Sequence, residues 1–131
     1  MGIFVDYVFS PFAGLSNVPT IILATDNVNI PHSLIINGIT VCNLGNQPIR
    51  FNLQKQRINT TTTTIYNIKE FEVAKYQTID PIKELGLQIF LEYKNTPVIT
   101  SSLICFSNSP IQQFDCEISY TILNETPLTF Y

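Results

Sequence analysis

The stretch Ser33–Asn43 places the strongest constraint on what this chain can fold into. It reads Ser-Leu-Ile-Ile-Asn-Gly-Ile-Thr-Val-Cys-Asn and holds the densest group of β-branched residues in the sequence. Such side chains are stiff at the first torsion and pack well on a pleated sheet. The Asn37-Gly38 dipeptide within it is either a two-residue hairpin turn or a bulge. Because the flanking runs are short, we favour one long bent strand in the middle of a sheet.

The composition favours strands and points to an unusual surface. The chain has 131 residues, enough for one domain with a proper core. Charged residues make up only 13% of it, about half of the usual ~25%. Ile, Asn and Thr dominate, whereas Ala and Gly are scarce. The polar surface must therefore come from uncharged residues, or another chain covers part of it.

Alternating and apolar segments, separated by turn signals, recur along the chain. Ile49, Phe51 and Leu53 alternate with polar residues, and Phe114–Leu123 alternates over a longer run. Other strand segments are Pro19–Thr25, Ile65–Val73, Leu87–Tyr93 and Leu103–Phe106. A single helical turn is expected at 80–86, with Asp80 as N-cap, Pro81 in the first position and Gly86 as the stop. The pattern predicts an all-β fold, an antiparallel β-sandwich (jelly-roll or Ig-like) of about 7–8 strands.

The first eighteen residues form an extended, apolar N-terminal arm in this interpretation, and residues 19–131 form the single sandwich domain. Gly2, Pro11, Gly14 and Pro19 punctuate the arm, and Pro11 breaks any long helix. The arm either folds back on its own domain or docks on a neighbour, and we slightly favour the neighbour. The residues predicted to bind a partner are its apolar ones: Ile3, Phe4, Val5, Tyr7, Val8, Phe9, Phe12 and Leu15.

The charge distribution argues against a nucleic-acid binder. The net charge is −3, and all seven basic residues lie between Arg50 and Lys94. A basic strip of Arg50, Lys55 and Arg57 is conceivable, but a solvated strand face is the better interpretation. The longest apolar runs fall well short of the ~18 residues that a membrane span needs. We therefore expect neither nucleic acid nor membrane as a partner.

The sequence contains no catalytic signature. His32 is the single histidine and has no nucleophile motif around it. The carboxylate pairs Glu70/Glu72 and Asp115/Glu117 have the spacing of one strand face, which suits acid–base chemistry or a cation but also any solvated face. The three cysteines are Cys42, Cys105 and Cys116. We expect buried free thiols, with a Cys105–Cys116 disulfide as the alternative. No enzyme activity, cofactor or metal is expected.

The segment from Ser33 to Leu123 resembles small β-sandwich structural proteins of tailed-bacteriophage virions, of the capsid-decoration or neck type. The resemblance rests on Leu34–Asn43, which is similar to an I-x-G-I-x-V-x-N strand, and on Cys116–Tyr120, which is similar to a late apolar-x-apolar-x-Tyr strand. It implies a protein that coats capsid or neck surfaces and has no enzymatic role. No functional residues carry over, since that class has no catalytic motif.

Together these observations predict a non-enzymatic structural subunit of a virus particle. It would decorate or join capsid or neck proteins, be anchored by its N-terminal arm, and form a homo-oligomer. Its location would be the virion, assembled in the host cytoplasm. The alternative is a receptor- or carbohydrate-binding sandwich that uses the loops Thr60–Thr64 and Asn95–Ser101. The five consecutive threonines Thr60–Thr64 otherwise indicate an exposed loop or an edge strand.

Overall fold

A computed structural model describes residues 3–25, 32–111 and 113–125 of the chain. These residues form ten strands and one short helix. In chain order the elements are β1 (Ile3–Leu15), β2 (Thr20–Ala24), β3 (Ser33–Asn43), β4 (Ile49–Asn59), β5 (Thr62–Val73), β6 (Thr78–Ile79), α1 (Pro81–Leu85), β7 (Phe90–Leu91), β8 (Lys94–Asn95), β9 (Val98–Ser107) and β10 (Phe114–Glu125). Seven of the strands are long, and three have only two residues each.

The strands form two antiparallel sheets that pack face to face. The first sheet has the order β1-β10-β3-β6, with β7 also paired to β3, and the second has the order β2-β9-β4-β5, with β8 paired to β9. The chain passes back and forth between the sheets, as in a jelly roll. With β6 and β7 sharing one position beside β3, and β2 and β8 sharing one position beside β9, the described strands occupy eight positions. The predicted antiparallel β-sandwich is therefore confirmed.

The central stretch is one bent strand, as expected. β3 covers Ser33–Asn43 and lies between β10 on one side and the short strands β6 and β7 on the other. Ser119 of β10 is opposite Gly38, and Tyr120 is opposite Ile36, so Asn37 is the extra residue of a β-bulge. The Asn37 Nδ2 donates to Thr121 Oγ1 at 2.7 Å, which holds the bulge. The hairpin interpretation of Asn37-Gly38 does not apply.

The backbone of the N-terminal arm folds back on its own domain. Ile3–Leu15 pairs antiparallel with β10 and forms an edge strand of the first sheet. Between Phe12 and Leu15 the register shifts, Gly14 adopts a left-handed φ of 68°, and its N–H donates to Asp115 Oδ1 at 2.9 Å. Of the two alternatives that the sequence left open, the backbone therefore adopts the one in which the arm joins its own sheet.

The core lies between the sheets and is joined by aromatic contacts. Phe51 of β4 packs against Phe114 of β10, with ring centroids 5.2 Å apart and an edge-to-face geometry, and against Phe71 of β5 at the same distance. Phe51 and Phe114 are completely buried. Because Phe51 belongs to the second sheet and Phe114 to the first, this contact helps to hold the two sheets together.

The short helix α1 follows the predicted capping pattern. The Asp80 Oδ1 accepts hydrogen bonds from the N–H groups of Ile82 and Lys83 at 3.0 and 3.3 Å. Pro81 occupies the first turn, and Gly86 ends the helix in the left-handed conformation with φ of 65°. The N-cap, proline and glycine signals are local in sequence, which is why they predict this turn correctly.

Two strand predictions were wrong in length. Within Leu87–Tyr93 only Phe90–Leu91 is a strand, because the next residues, Lys94–Asn95, already pair with β9 of the other sheet. By contrast, the predicted short strand at Leu103–Phe106 is part of the ten-residue β9. Ser101 and Ser102 in its first half are buried, and Ser101 Oγ donates to the Glu92 carbonyl at 2.9 Å. Most of Asn95–Ser101 is therefore strand, and only Thr96 and Pro97 form a turn.

Candidate functional site

A polar cleft lies on the outer face of the first sheet, beside the bulge of β3. It has a volume of about 220 Å³ and is bordered by β3, β10 and the start of α1. The lining residues are Asn37, Gly38, Thr40, Asp80, Lys83, Glu117 and Ser119. A Cβ at position 38 would lie 3.1 Å from Asp80 Oδ2 and 3.2 Å from Ser119 Oγ. The absence of a side chain at Gly38 thus allows the Asp80 carboxylate to lie against the strand.

The hydrogen bonds of this cleft assign Asp80 a structural role. Besides capping α1, its Oδ1 accepts from the backbone N–H of Ile39 at 3.4 Å. Its own N–H donates to Glu84 Oε2 at 3.0 Å. The Asp80 carboxylate therefore connects α1 to β3 by hydrogen bonds. This arrangement indicates that the cleft fixes the position of the helix rather than binding a ligand.

The two loop segments of the binding-module alternative meet at one end of the sandwich. The turn between β4 and β5 consists of Thr60 and Thr61, and the Thr60 N–H donates to the Val98 carbonyl at 3.0 Å. Thr60 has a left-handed φ of 57°, which a two-residue hairpin turn requires. The exposed threonines and the turn before β9 are thus neighbours in space, although 38 residues separate Thr60 from Val98.

The basic residues of β4 do not form a continuous strip. Arg50 and the pair Lys55 and Arg57 lie on opposite faces of β4, because side chains alternate along a strand. Arg50 Nη2 contacts Glu70 Oε1 at 3.2 Å, and Arg57 Nε contacts Glu92 Oε1 at the same distance. The guanidinium groups are thus paired with carboxylates, and the three basic residues are divided between the two faces of β4 rather than lying on one solvated face.

The first half of the edge strand β5 presents an uncharged and largely exposed surface. From Asn59 to Ile68 the chain has ten consecutive residues without charge, Gly or Pro. Ile65 and Tyr66 are about half exposed. Among the described residues, β4 is the strand that pairs with β5. The threonine run therefore forms a turn and an edge strand, as the sequence indicated.

Buried thiols sit where the two sheets meet. Cys105 of β9 and Cys116 of β10 are both buried and free, and Cys42 is half-buried. The pKa of Cys116 is raised well above the usual range by a hydrogen bond with the Cys105 thiol and by burial. The Cys116 thiol therefore stays protonated in the folded protein. The prediction of free thiols is confirmed for all three residues, although Cys42 is only partly buried.

The candidate catalytic residues are dispersed. Glu70 is paired with Arg50, Asp115 accepts the Gly14 N–H, and His32 lies just before β3. Among residues 3–25, 32–111 and 113–125, no group of three or more His, Cys, Asp or Glu side chains could hold a metal ion. No described helix has the length and apolar character needed to cross a membrane.

The side chains of residues 3–13 lie outside the described part of the structure. Seven of the eight predicted partner-binding residues, from Ile3 to Phe12, belong to this range. Leu15, the eighth, is buried in the core of its own sandwich. The assignment of the other seven to a partner remains a prediction, because only their backbone is placed.

Sequence reasoning missed a buried polar cluster around Asn43, at the end of β3. The Asn43 Nδ2 donates to the carbonyls of Gln47, Val73 and Ala74 at 2.7–3.3 Å. Its Oδ1 accepts from Gly45 N and Gln113 Nε2 at 2.9 and 3.1 Å. This side chain joins three segments that are far apart in sequence. The only signal was an asparagine at the end of a strand, which is typical of any turn.

Comparisons with known proteins show a likeness of fold. No protein-family model matches the sequence, and no curated protein does. A chain of the T13 particle of infectious bursal disease virus is similar with a TM-score of 0.58 and 10% identity, over 95% of this chain and 32% of that one. A structure of the Gt strain of this virus gives a TM-score of 0.51 and 11% identity, over 94% and 33% of the two chains. This chain spans about a third of the length of those viral chains.

A further similar structure is the CBM22-1 xylan-binding domain of Paenibacillus barcinonensis Xyn10C. Its TM-score is 0.46 with 15% identity, over 95% of this chain and 83% of that domain. At 10–11% identity, the likeness to the two viral chains concerns the fold alone.

Proposed function

We propose that this chain is a non-enzymatic structural subunit of a virus particle, which binds other virion proteins through the surfaces and edges of its sandwich. The observation that carries the proposal is the largely exposed, uncharged first half of the edge strand β5, Thr62–Ile68, on a chain with only 13% charged residues. A monomer that stays apart from its neighbours normally protects such an edge with charges or proline. A subunit of a particle can leave the edge open because a neighbour covers it.

The fold is consistent with this role. Jelly-roll sandwiches are common in viral capsid proteins as well as in lectins, and the two similar structures with a TM-score above 0.5 come from particles of infectious bursal disease virus. The narrower assignment, a capsid-decoration or neck protein of a tailed bacteriophage, derives from the resemblance of Ser33–Leu123. The apolar arm residues from Ile3 to Phe12 are the proposed contact with capsid or neck subunits.

Purified virus particles provide the direct test of this proposal. Particles from infected cells are separated on a density gradient, and their proteins are quantified by mass spectrometry. We expect the chain to be present in many copies and to stay with the particles after washing at high salt. A chain found only in the soluble fraction contradicts the structural role.

Substitutions in the arm locate the contact. Val8 and Phe9 are neighbouring residues of β1 and both belong to the predicted contact, so each is replaced separately, in the variants Val8→Lys and Phe9→Lys. We expect one of them to keep the melting temperature of the wild type yet lose incorporation into particles. Full incorporation of both folded variants contradicts the assignment of the arm as the anchor.

The end of the sandwich where Thr60 meets Val98 supports a second candidate, a receptor- or carbohydrate-binding module. The hydrogen bond between the Thr60 N–H and the Val98 carbonyl brings the two loops into one surface. This candidate predicts saturable binding of the purified chain to a glycan array or to cells. The binding should be weakened by replacing exposed threonines of the turn, and an empty array together with no cell binding argues against it.

A further inference from the structure

Among the strands of the described residues, only β4 pairs with β5, which leaves its other edge open over seven residues that carry no charge. β5 is the last strand in the order β2-β9-β4-β5, so every second backbone N–H and C=O of Thr62–Ile68 points away from β4. Proteins usually protect such an edge with short strands, lysines, proline or a bulge. The segment Thr62–Ile68 is rich in Thr, Ile and Tyr, which favour strands.

The second half of the same strand is protected in the usual way. Leu53 of β4 is opposite Lys69 and Gln54 is opposite Asn67, so Ile68 is the extra residue of a bulge. Beyond it lie the charged residues Lys69, Glu70 and Glu72. The uncharged open segment thus ends at Ile68, and another strand could pair with this edge only along Thr62–Ile68.

We propose that Thr62–Ile68 pairs antiparallel with the same segment of a second copy of this chain. Pairing about a two-fold axis at Ile65 puts Thr62 opposite Ile68, Thr63 opposite Asn67 and Thr64 opposite Tyr66. Thr, aromatic and β-branched cross-strand pairs are favourable ones, and no like charges meet in this register. The result is a symmetric contact in which one patch serves both partners.

The pairing joins the second sheets of two copies into one continuous sheet. Seven residue pairs give about six to eight interchain hydrogen bonds, because every second pair in an antiparallel ladder exchanges two. Ile65 and Tyr66, which are 55% and 47% exposed in the single chain, lose water-accessible area in the pair. A net charge of −3 per copy opposes association only weakly.

This inference rests on the proposed structural role and names one partner for it, a second copy. It is tested by the solution mass of the full-length chain, measured by light scattering as a function of concentration. We expect a dimer that dissociates on dilution. Ile65→Lys places two like charges opposite each other at the axis and should raise the dissociation constant more than about tenfold.

A lysine substitution at the opposite edge of the second sheet is the matched control. Ile21 on β2 is 49% exposed and lies at the opposite edge of the same sheet. Ile21→Lys should leave the dimer intact. A dimer that survives Ile65→Lys, or that is lost only with Ile21→Lys, overturns the proposal. A wild-type chain that stays monomeric at all concentrations overturns it too, as expected if another virion protein supplied the pairing strand.

The register has its own test. In the proposed register, Thr64 of one copy lies opposite Tyr66 of the second copy, and Tyr66 of the first lies opposite Thr64 of the second. The double variant Thr64→Lys/Tyr66→Glu creates complementary pairs and should remain dimeric, whereas Thr64→Lys/Tyr66→Lys should be monomeric. Equal masses for the two double variants overturn this register. Circular dichroism of each variant confirms the fold, and the particle assay reports separately on the structural role.

Discussion

β3 and β5 are nearly equal in length and both favour strand structure, yet they differ in pairing and burial. β3 has 11 residues and β5 has 12, both are rich in β-branched residues, and both carry one bulge. β3 is paired on both sides and buries Leu34, Ile36, Ile39 and Val41, whereas Val73 is the only buried side chain of β5. This difference in pairing and burial shows that a β-branched composition specifies a strand but not its position in the sheet.

Truncating an isoleucine in each strand should give the largest difference between them. Ile39 is completely buried, so Ile39→Ala should lower the free energy of unfolding by about 2–5 kcal/mol through lost burial and a cavity. Ile65 is 55% exposed in the single chain, so Ile65→Ala should cost less than about 1 kcal/mol. Urea unfolding measures both, under conditions where the chain is monomeric. Equal losses would contradict the central position of β3.

Removing an asparagine from each strand should give an intermediate effect. Asn43→Ala removes the donor to the buried Val73 carbonyl and one of the two acceptors of Gln113 Nε2, and it should cost about 1–3 kcal/mol. Asn67 accepts one exposed hydrogen bond, from Gln54 Nε2 at 2.7 Å. Asn67→Ala should therefore change stability by less than about 0.5 kcal/mol. Thermal unfolding of the two variants checks this, and a small effect at Asn43 would mean that the cluster is not needed for the fold.

The smallest effect is expected from the ion pair between β4 and β5. The Arg50 and Glu70 side chains are each about half exposed, so Glu70→Gln should cost no more than about 0.5 kcal/mol. The loss should shrink further near 1 M salt, where the pair is screened. Glu72→Gln, two residues along the strand, is the control. A loss above 1 kcal/mol would show that β5 is held by charge rather than by its backbone ladder.

Features that depend on neighbouring residues were predictable, and features that depend on distant ones were not. The bulge of β3 and the capping of α1 follow from Asn37-Gly38 and from Asp80, Pro81 and Gly86. By contrast, the polar start of β9 looked like a loop because Ser101 finds its partners in Thr25 and Glu92, which are distant in sequence. Whether the threonine run forms a loop or an edge strand also depends on which strand pairs with β4, and the run itself does not specify this.

The candidate sites also include features that neighbouring residues specify and features that depend on distant residues. The low charge and the uncharged threonine run were visible in the sequence, and both contribute to the proposed contact. The position of the arm was not visible, because the same apolar residues suit an edge strand or a docking segment. Pairing of Ile3–Leu15 with β10 depends on a register that no local signal specifies.

Hydrogen exchange of the backbone amides is the most direct test of the difference between β3, which is paired within the chain on both sides, and the edge of β5, which is proposed to pair with a second copy. In the full-length chain the amides of β3 should be strongly protected at every protein concentration. The amides of Thr62–Ile68 that point away from β4 should be protected at high concentration and should lose that protection on dilution or in the Ile65→Lys variant. Rapid exchange of these amides at every concentration would contradict the account, because the edge of β5 would then be open to water rather than paired with a second copy.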